Sequence, residues 1–261
     1  MSAPTKWIIA ERVAHPLCRV FCFPYAGGSA NAYRGWARAI SPHVDVFAVE
    51  LPGRSTRFNE TPIAVLDDLV DALLPIVAPH MDVPTLFFGH SNGALLSYAL
   101  AVALQRQGLP LPQRMILSAK PPPHRDDREM LHTLPAPQLA EKLRSLNGTP
   151  HQILDDPMLF DLFLPSLRAD LALSETYRHE HSEPLPCAVT LLSGSADTLA
   201  APAVVAEWQR YFSAQADMHV IEGDHFFIHN AKQQVLRILQ SVLATAEHSD
   251  AMRPNVAARA D

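Results

Sequence analysis

Residues 89–93 read Gly-His-Ser-Asn-Gly, and no other stretch restricts the fold of this chain as strongly. A serine with a glycine two residues away on each side suits one local geometry. A strand ends, the chain turns sharply, and a helix begins at once. The flanks agree with this. Val83-Pro84-Thr85-Leu86-Phe87-Phe88 reads as a buried strand, and Ala94-Leu95-Leu96-Ser97-Tyr98-Ala99-Leu100 reads as a helix. The constraint is steric: the serine sits on a strained turn so that its hydroxyl stands above the sheet. Gly89 and Gly93 remove side chains where strand and helix pass close together. Ser91 is therefore a candidate nucleophile.

The rest of the chain alternates in the same manner. Strand-like runs occupy 19–23, 44–49, 115–118, 188–192 and 218–221. Helix-like runs occupy 31–40, 67–77, the segment after Ser91 to about 107, 202–212 and 232–246. In the second of these, Leu66, Leu69, Val70, Leu73 and Leu74 share one face. This alternation predicts an α/β fold, a mostly parallel sheet with helices on both faces. Residues 121–182 interrupt it. The interruption opens on Pro121-Pro122-Pro123, which cannot continue regular structure. Asp156-Pro157 then provides a helix start, and Phe160, Phe163, Leu167 and Leu171 recur at about helical spacing. A helical insertion at this point is expected to form a lid over the substrate edge of the sheet. The expected organisation is a single domain over 1–248, with the lid insertion at about 121–182. The polar, Ala-rich segment 249–261 is expected to be a disordered tail.

Composition narrows the function classes. A chain of 261 residues suffices for one large domain with a full core. The net charge is −6 and no basic run stands out, which argues against a nucleic-acid partner. Cys18, Cys22 and Cys187 include no C-x-x-C pair and suit reduced thiols. Segment 1–14 has no signal-peptide pattern, and no apolar run is long enough to span a bilayer. The expectation is a soluble, cytoplasmic protein with no membrane partner.

A serine hydroxyl needs a base to take its proton, and the base needs an acid to fix its tautomer. His225, in Glu222-Gly223-Asp224-His225-Phe226-Phe227, follows the last strand and precedes the last helix, which puts it at the sheet edge that carries Ser91. His90 is set aside because neighbours on a sharp turn point apart. His179 and His181 flank Glu180 without a third metal-ligand pattern, and His229 is placed inside the final helix. Asp197, at the end of Leu192-Ser193-Gly194-Ser195-Ala196-Asp197, is the candidate acid. Asp224 is its rival but would have to fold back on its neighbour, and Ser118-Ala119-Lys120 offers no carboxylate. An oxyanion needs two preorganised donors. The candidates are the backbone N–H groups of Asn92 and of Ala26, the latter in Phe23-Pro24-Tyr25-Ala26-Gly27-Gly28-Ser29 with Tyr25 beside it. No metal site and no cofactor are expected.

With these pieces in place the chain resembles the type II thioesterases of nonribosomal peptide and polyketide synthase pathways, members of the α/β-hydrolase superfamily. The resemblance runs from about residue 17 to 240. It rests on Phe21-Cys22-Phe23-Pro24-Tyr25-Ala26-Gly27-Gly28-Ser29, Glu50-Leu51-Pro52-Gly53-Arg54, Gly89-His90-Ser91-Asn92-Gly93-Ala94, Leu164-Pro165-Ser166-Leu167-Arg168-Ala169-Asp170 and Gly223-Asp224-His225-Phe226-Phe227. It implies an α/β-hydrolase fold and a free-standing thioester hydrolase, which removes unwanted acyl groups from the phosphopantetheine arm of acyl or peptidyl carrier proteins. The family triad falls on Ser91, Asp197 and His225. The chain departs from the family in carrying Asn92, where Met is frequent, and Ser118-Ala119-Lys120, where Gly-Arg is frequent. Three alternatives stay open: a medium-chain fatty-acyl thioesterase, a carboxylesterase or acyltransferase on the same fold, and a non-catalytic binding module. Carrier proteins are generally acidic, so docking would need a local basic patch, with Arg34, Arg54, Arg57 and Lys120 as candidates.

Overall fold

The computed structural model of the chain describes residues 5–125, 129–146, 149, 151–180 and 183–248. The expected tail at 249–261 lies outside the described residues, as does His181. Seven strands form one sheet: β1 (Ile8–Glu11), β2 (Cys18–Phe23), β3 (Val44–Val49), β4 (Thr85–His90), β5 (Arg114–Ser118), β6 (Ala188–Gly194) and β7 (Asp217–Ile221). Their order is β1-β3-β2-β4-β5-β6-β7. Only the edge pair β1–β3 is antiparallel, with Ile8 opposite Val49, and every other pair is parallel.

The helices are α1 (Trp36–Ile40), α2 (Leu66–Val77), α3 (Asn92–Arg106), α4 (Ala136–Ser145), α5 (His151–Asp155), α6 (Pro157–Glu175), α7 (Pro202–Val205), α8 (Phe227–Asn230) and α9 (Lys232–His248). Every residue of β2, β3 and β4 is buried, as expected for parallel strands covered on both faces. Successive side chains divide between two cores. Phe21, Phe47 and Phe87 pack on one face with Leu69 and Leu73 of α2 and Leu95 and Tyr98 of α3. Phe21 meets Phe47 and Phe87 edge to face, at centroid distances of 5.4 and 5.7 Å. Val20, Cys22, Val46 and Phe88 pack on the other face against Trp36 and Ile40 of α1 and Leu236 and Leu239 of α9.

The insertion between β5 and β6 holds α4, α5 and α6 and has a small core of its own, with Leu139, Leu143, Leu154, Phe160 and Leu167. Asp156 caps α6 as its sequence suggests, accepting from the backbone N–H of Met158 at 2.9 Å and of Leu159 at 3.2 Å. The far end of α6 joins the main core through Leu173. The insertion is thus anchored to the body of the molecule at the end nearest the sheet.

Four features differ from the expectation, the first being β1, a four-residue antiparallel edge strand outside the strand-like runs. The helix expected over 31–40 is a 3-10 turn, Ala30–Tyr33, followed by α1. Gly35, at φ 78°, breaks the run between them. The helix expected over 202–212 is α7 continued by a 3-10 turn, Ala206–Tyr211. His229 belongs to the short helix α8 and not to the final helix.

Candidate active site

Ser91 stands between β4 and α3 with φ 52° and ψ −120°, a conformation that non-glycine residues rarely adopt and that active-site turns can store. Its N–H donates to the Ser118 carbonyl at 2.8 Å, which ties the turn to the end of β5. The flanking glycines are required by contact. A Cβ on Gly89 would lie 2.2 Å from the Gly93 carbonyl oxygen, and a Cβ on Gly93 would lie 2.0 Å from that of Phe23.

The ends of β6 and β7 bring the other two residues to Ser91. His225 Nε2 lies 3.1 Å from Ser91 Oγ, and His225 Nδ1 lies 2.8 Å from Asp197 Oδ2. The remaining oxygen of Asp197 accepts from the backbone N–H groups of Leu199 and Ala200, both at 2.9 Å. The Asp197 side chain is wholly buried, and that of His225 is 11% exposed. Asp197 is thus fixed by three donors, and His225 donates through Nδ1, leaving Nε2 to accept from the serine hydroxyl. Asp224 is engaged elsewhere: its Oδ1 accepts from Phe226 N–H at 2.9 Å.

His90, set aside as a base, has a supporting position. It is fully buried. Its Nε2 is 2.9 Å from the His225 carbonyl oxygen and its Nδ1 is 2.8 Å from Ser118 Oγ. A carbonyl only accepts, so Nε2 carries the proton and Nδ1 accepts from the Ser118 hydroxyl. Burial, and next the neighbouring His225, push its pKa well below the ordinary histidine value. His90 is a neutral strut beneath the His225 backbone.

The two candidate oxyanion donors share one support. Ala26 and Asn92 line the same pocket as Ser91 and His225, and neither backbone N–H has a protein acceptor among the described residues. Arg54 and Asp170 form a buried bidentate pair, with N–O distances of 2.9 and 2.6 Å. Asp170 Oδ2 also accepts from Gly27 N–H at 2.7 Å, and Arg54 donates to the Gly28 carbonyl at 3.0 Å. The Asn92 side chain donates through Nδ2 to the Asp170 carbonyl and accepts from Lys120 Nζ at 3.1 Å. Arg54 and Asp170 lie in two of the stretches that carry the family resemblance. Arg54 and Arg57 are also among the candidates for a basic docking patch. Both are buried, at 7% and 5% exposure. Arg57 is bound by Glu60 and the Glu50 carbonyl and lies 3.8 Å from the Trp7 ring centroid. Neither arginine is available to a docking partner.

The pocket beside Ser91 has a volume of about 590 Å³. Its floor is Ser91, Asn92, Ala26 and His225. Leu95, Leu199 and Val204 line it from the body, and Leu143, Leu167 and Leu171 line it from the insertion. Tyr25 closes one side, its hydroxyl 2.9 Å from His229 Nε2. A serine, imidazole and carboxylate in line beside a leucine-walled pocket can transfer an acyl group whose chain needs an apolar enclosure. Among the described residues no His, Cys, Asp and Glu side chains gather into a metal-binding group, and no helix is long and apolar enough to cross a membrane.

Residues 18–243 match the family model described as thioesterase domain. The chain belongs to this family. The linear gramicidin dehydrogenase LgrE of Brevibacillus parabrevis is 37% identical over 246 residues, which cover 92% of this chain and 94% of that protein. Its name speaks of hydride chemistry, yet no two glycines of the present chain stand two apart, so the Gly-x-Gly-x-x-Gly turn of dinucleotide-binding folds is absent from the sequence. Two solved structures share the fold. RedJ, a thioesterase of the prodiginine pathway of Streptomyces coelicolor, is 36% identical with a TM-score of 0.81, covering 87% of this chain and 91% of its own. BorB, a type II thioesterase from the borrelidin cluster, is 33% identical with a TM-score of 0.83, covering 93% of this chain and 100% of its own. The present chain is a thioester hydrolase on the α/β-hydrolase fold, related to type II thioesterases of biosynthetic pathways.

Proposed function

We propose that this enzyme removes acyl groups from the phosphopantetheine arm of acyl or peptidyl carrier proteins, the editing reaction of nonribosomal peptide and polyketide assembly lines. The observation that carries the reading is the Ser91–His225–Asp197 line at the floor of the leucine-walled pocket. In this reading His225 takes the proton as Ser91 attacks the thioester carbonyl. The negative oxygen forms between the backbone N–H groups of Ala26 and Asn92. His225 gives that proton to the sulfur as the C–S bond breaks, so the arm leaves as a thiol, and Ser91 carries the acyl group. Water, deprotonated by His225, then attacks the ester and releases the acid. Asp197 holds the tautomer throughout and steadies the imidazolium.

The insertion acts as the lid of this site, contributing five of the seven leucines that line the pocket among the described residues. The buried thiols of Cys18, Cys22 and Cys187, none of them in a disulfide, support a cytoplasmic setting. The test is release of the acyl group from an acyl-loaded carrier protein by wild type and by Ser91→Ala, with the oxoester of the same acyl group in parallel. Carrier turnover that vanishes in the variant supports the reading. Turnover of the oxoester alone would make the enzyme a carboxylesterase.

A further inference from the structure

Asp170 belongs to α6 of the insertion, yet it touches both segments that carry the candidate oxyanion donors. Its carboxylate accepts from Gly27 N–H, next in sequence to Ala26, and its carbonyl accepts from the Asn92 side chain. Arg54 completes the clamp. Its guanidinium binds both oxygens of Asp170 and donates to the Gly28 carbonyl. The Asp170 side chain is 3% exposed and that of Arg54 8%. A buried ion pair is a weak route to stability, because well-packed apolar residues serve as well or better, whereas a bidentate arginine–carboxylate pair fixes direction. This pair fixes the backbone around Gly27 from two directions, at the Gly27 N–H and at the Gly28 carbonyl.

We infer that Asp170 is a positioning residue for the oxyanion donors, held in register by Arg54. The insertion is thereby part of the catalytic machinery and not only its cover. When α6 sits as described, the Ala26 and Asn92 amides are both set. A shift of this part of α6 would remove both the carboxylate that holds the Gly27 N–H and the carbonyl that holds the Asn92 side chain. Acyl transfer is thereby coupled to the seating of the insertion, whose leucines line the acyl pocket. The inference rests on the reading of Ser91 as the nucleophile.

The experiment compares wild type with Asp170→Asn and Arg54→Gln. The substrate is octanoyl-N-acetylcysteamine, and the probe is the trifluoromethyl ketone of the same chain, which forms a tetrahedral adduct with a serine. Removing an oxyanion donor outright typically costs about 10²–10³ in kcat, so misplacing donors is expected to lower kcat about 10- to 100-fold, with KM within about threefold. Ketone affinity falls by the same factor as kcat. Asp161→Asn, on the exposed side of α6, leaves both unchanged. Retained kcat in Asp170→Asn, or lost kcat with undiminished ketone affinity, overturns the inference. If Asp170→Asn does not fold by circular dichroism, Arg54→Lys decides on the same two readouts, since it keeps the charge but loses the planar fork. Ser91→Ala in parallel separates the two failures: residual turnover there overturns the nucleophile assignment itself, whereas an inactive Ser91→Ala beside an unimpaired Asp170→Asn overturns only the positioning role.

Discussion

The imidazole of His90 lies beneath His225 and donates through Nε2 to its backbone carbonyl at 2.9 Å. The residue that precedes the candidate nucleophile in sequence therefore supports the candidate base, 135 positions later. Its neutrality has a consequence for stability. The folded state holds the His90 pKa well below its ordinary value, with burial the larger cause. In the unfolded chain His90 takes up a proton below about pH 6.5, and the folded chain does not. The unfolded state then binds more protons, so stability is lost as pH falls through that value. His90 alone adds a slope of up to about 1.4 kcal/mol per pH unit. His90→Gln keeps an N–H donor but cannot titrate, and the loss of unfolding free energy between about pH 7.5 and about pH 5.5, read from urea denaturation, is expected to be smaller by about 1.4 kcal/mol. Equal differences in the two proteins would show that His90 is not the group responsible.

Asp197 offers a sharper test of tautomer control. One of its oxygens accepts from two backbone N–H groups, of Leu199 and Ala200. In Asp197→Asn the amide carbonyl stays on that side, because an NH2 group cannot accept. The NH2 then faces His225 Nδ1, which must become an acceptor, and the ring proton moves to Nε2, facing Ser91. The base is blocked with its geometry intact. A loss of about 10⁴ in kcat is expected, with KM little changed. Single-turnover acylation monitored with a chromogenic ester measures it, and a loss under tenfold would remove Asp197 from the proposed role.

These two residues illustrate what sequence reveals and what it does not. Ser91, Asp197 and His225 each sit at the end of a strand within a short stretch whose turn chemistry is local, and the order of strands follows from alternation. The Arg54–Asp170 pair spans 116 positions, and no local pattern joins its members. One trace existed: Asp170 falls three residues after Leu167 and three before Leu173, on the buried stripe of α6, where an aspartate needs a partner. β1 was illegible for a different reason. It has four residues and only Ile8 is buried, so alternation had nothing to register. The break in the helix expected over 31–40 turns on Gly35 in the left-handed region, which composition signals only as a weak point.

Close approach at the elbow predicts a contrast between glycines. Gly93→Ala would drive a Cβ to 2.0 Å from the Phe23 carbonyl oxygen, between an element of the sheet and α3. Neither side can yield without moving the strand that carries the Ala26 loop. A loss of about 3 kcal/mol or more is expected, at the upper end of overpacking costs. Gly108 has φ 65° and nothing within 4 Å of an added Cβ, so Gly108→Ala carries only the left-handed backbone penalty, about 1–2 kcal/mol. Chemical denaturation of both variants measures the difference. Similar losses would mean that backbone conformation, and not contact, makes the elbow glycines necessary.

The leucines of the pocket bear on which acyl groups the enzyme accepts. Leu171 projects from α6 into the space lined from the body by Leu95, Leu199 and Val204, and it lies just after Asp170. A larger side chain there shortens the pocket from the insertion side without touching Ser91, His225 or the two amides. Leu171→Trp is therefore expected to reduce kcat/KM for an octanoyl thioester by at least about tenfold, since one methylene of apolar fit is worth about 1–3 kcal/mol. It should leave acetyl turnover within about threefold, because a two-carbon chain does not reach the changed wall. The assay is competition between acetyl- and octanoyl-N-acetylcysteamine in one vessel. Unchanged octanoyl turnover would show that the chain follows another path, with the leucines of the insertion serving only to pack α4 and α6 together. A parallel loss for both would point to a disturbed Asp170 and not to a narrowed pocket, which ties the selectivity of the site to the same helix that positions its amides.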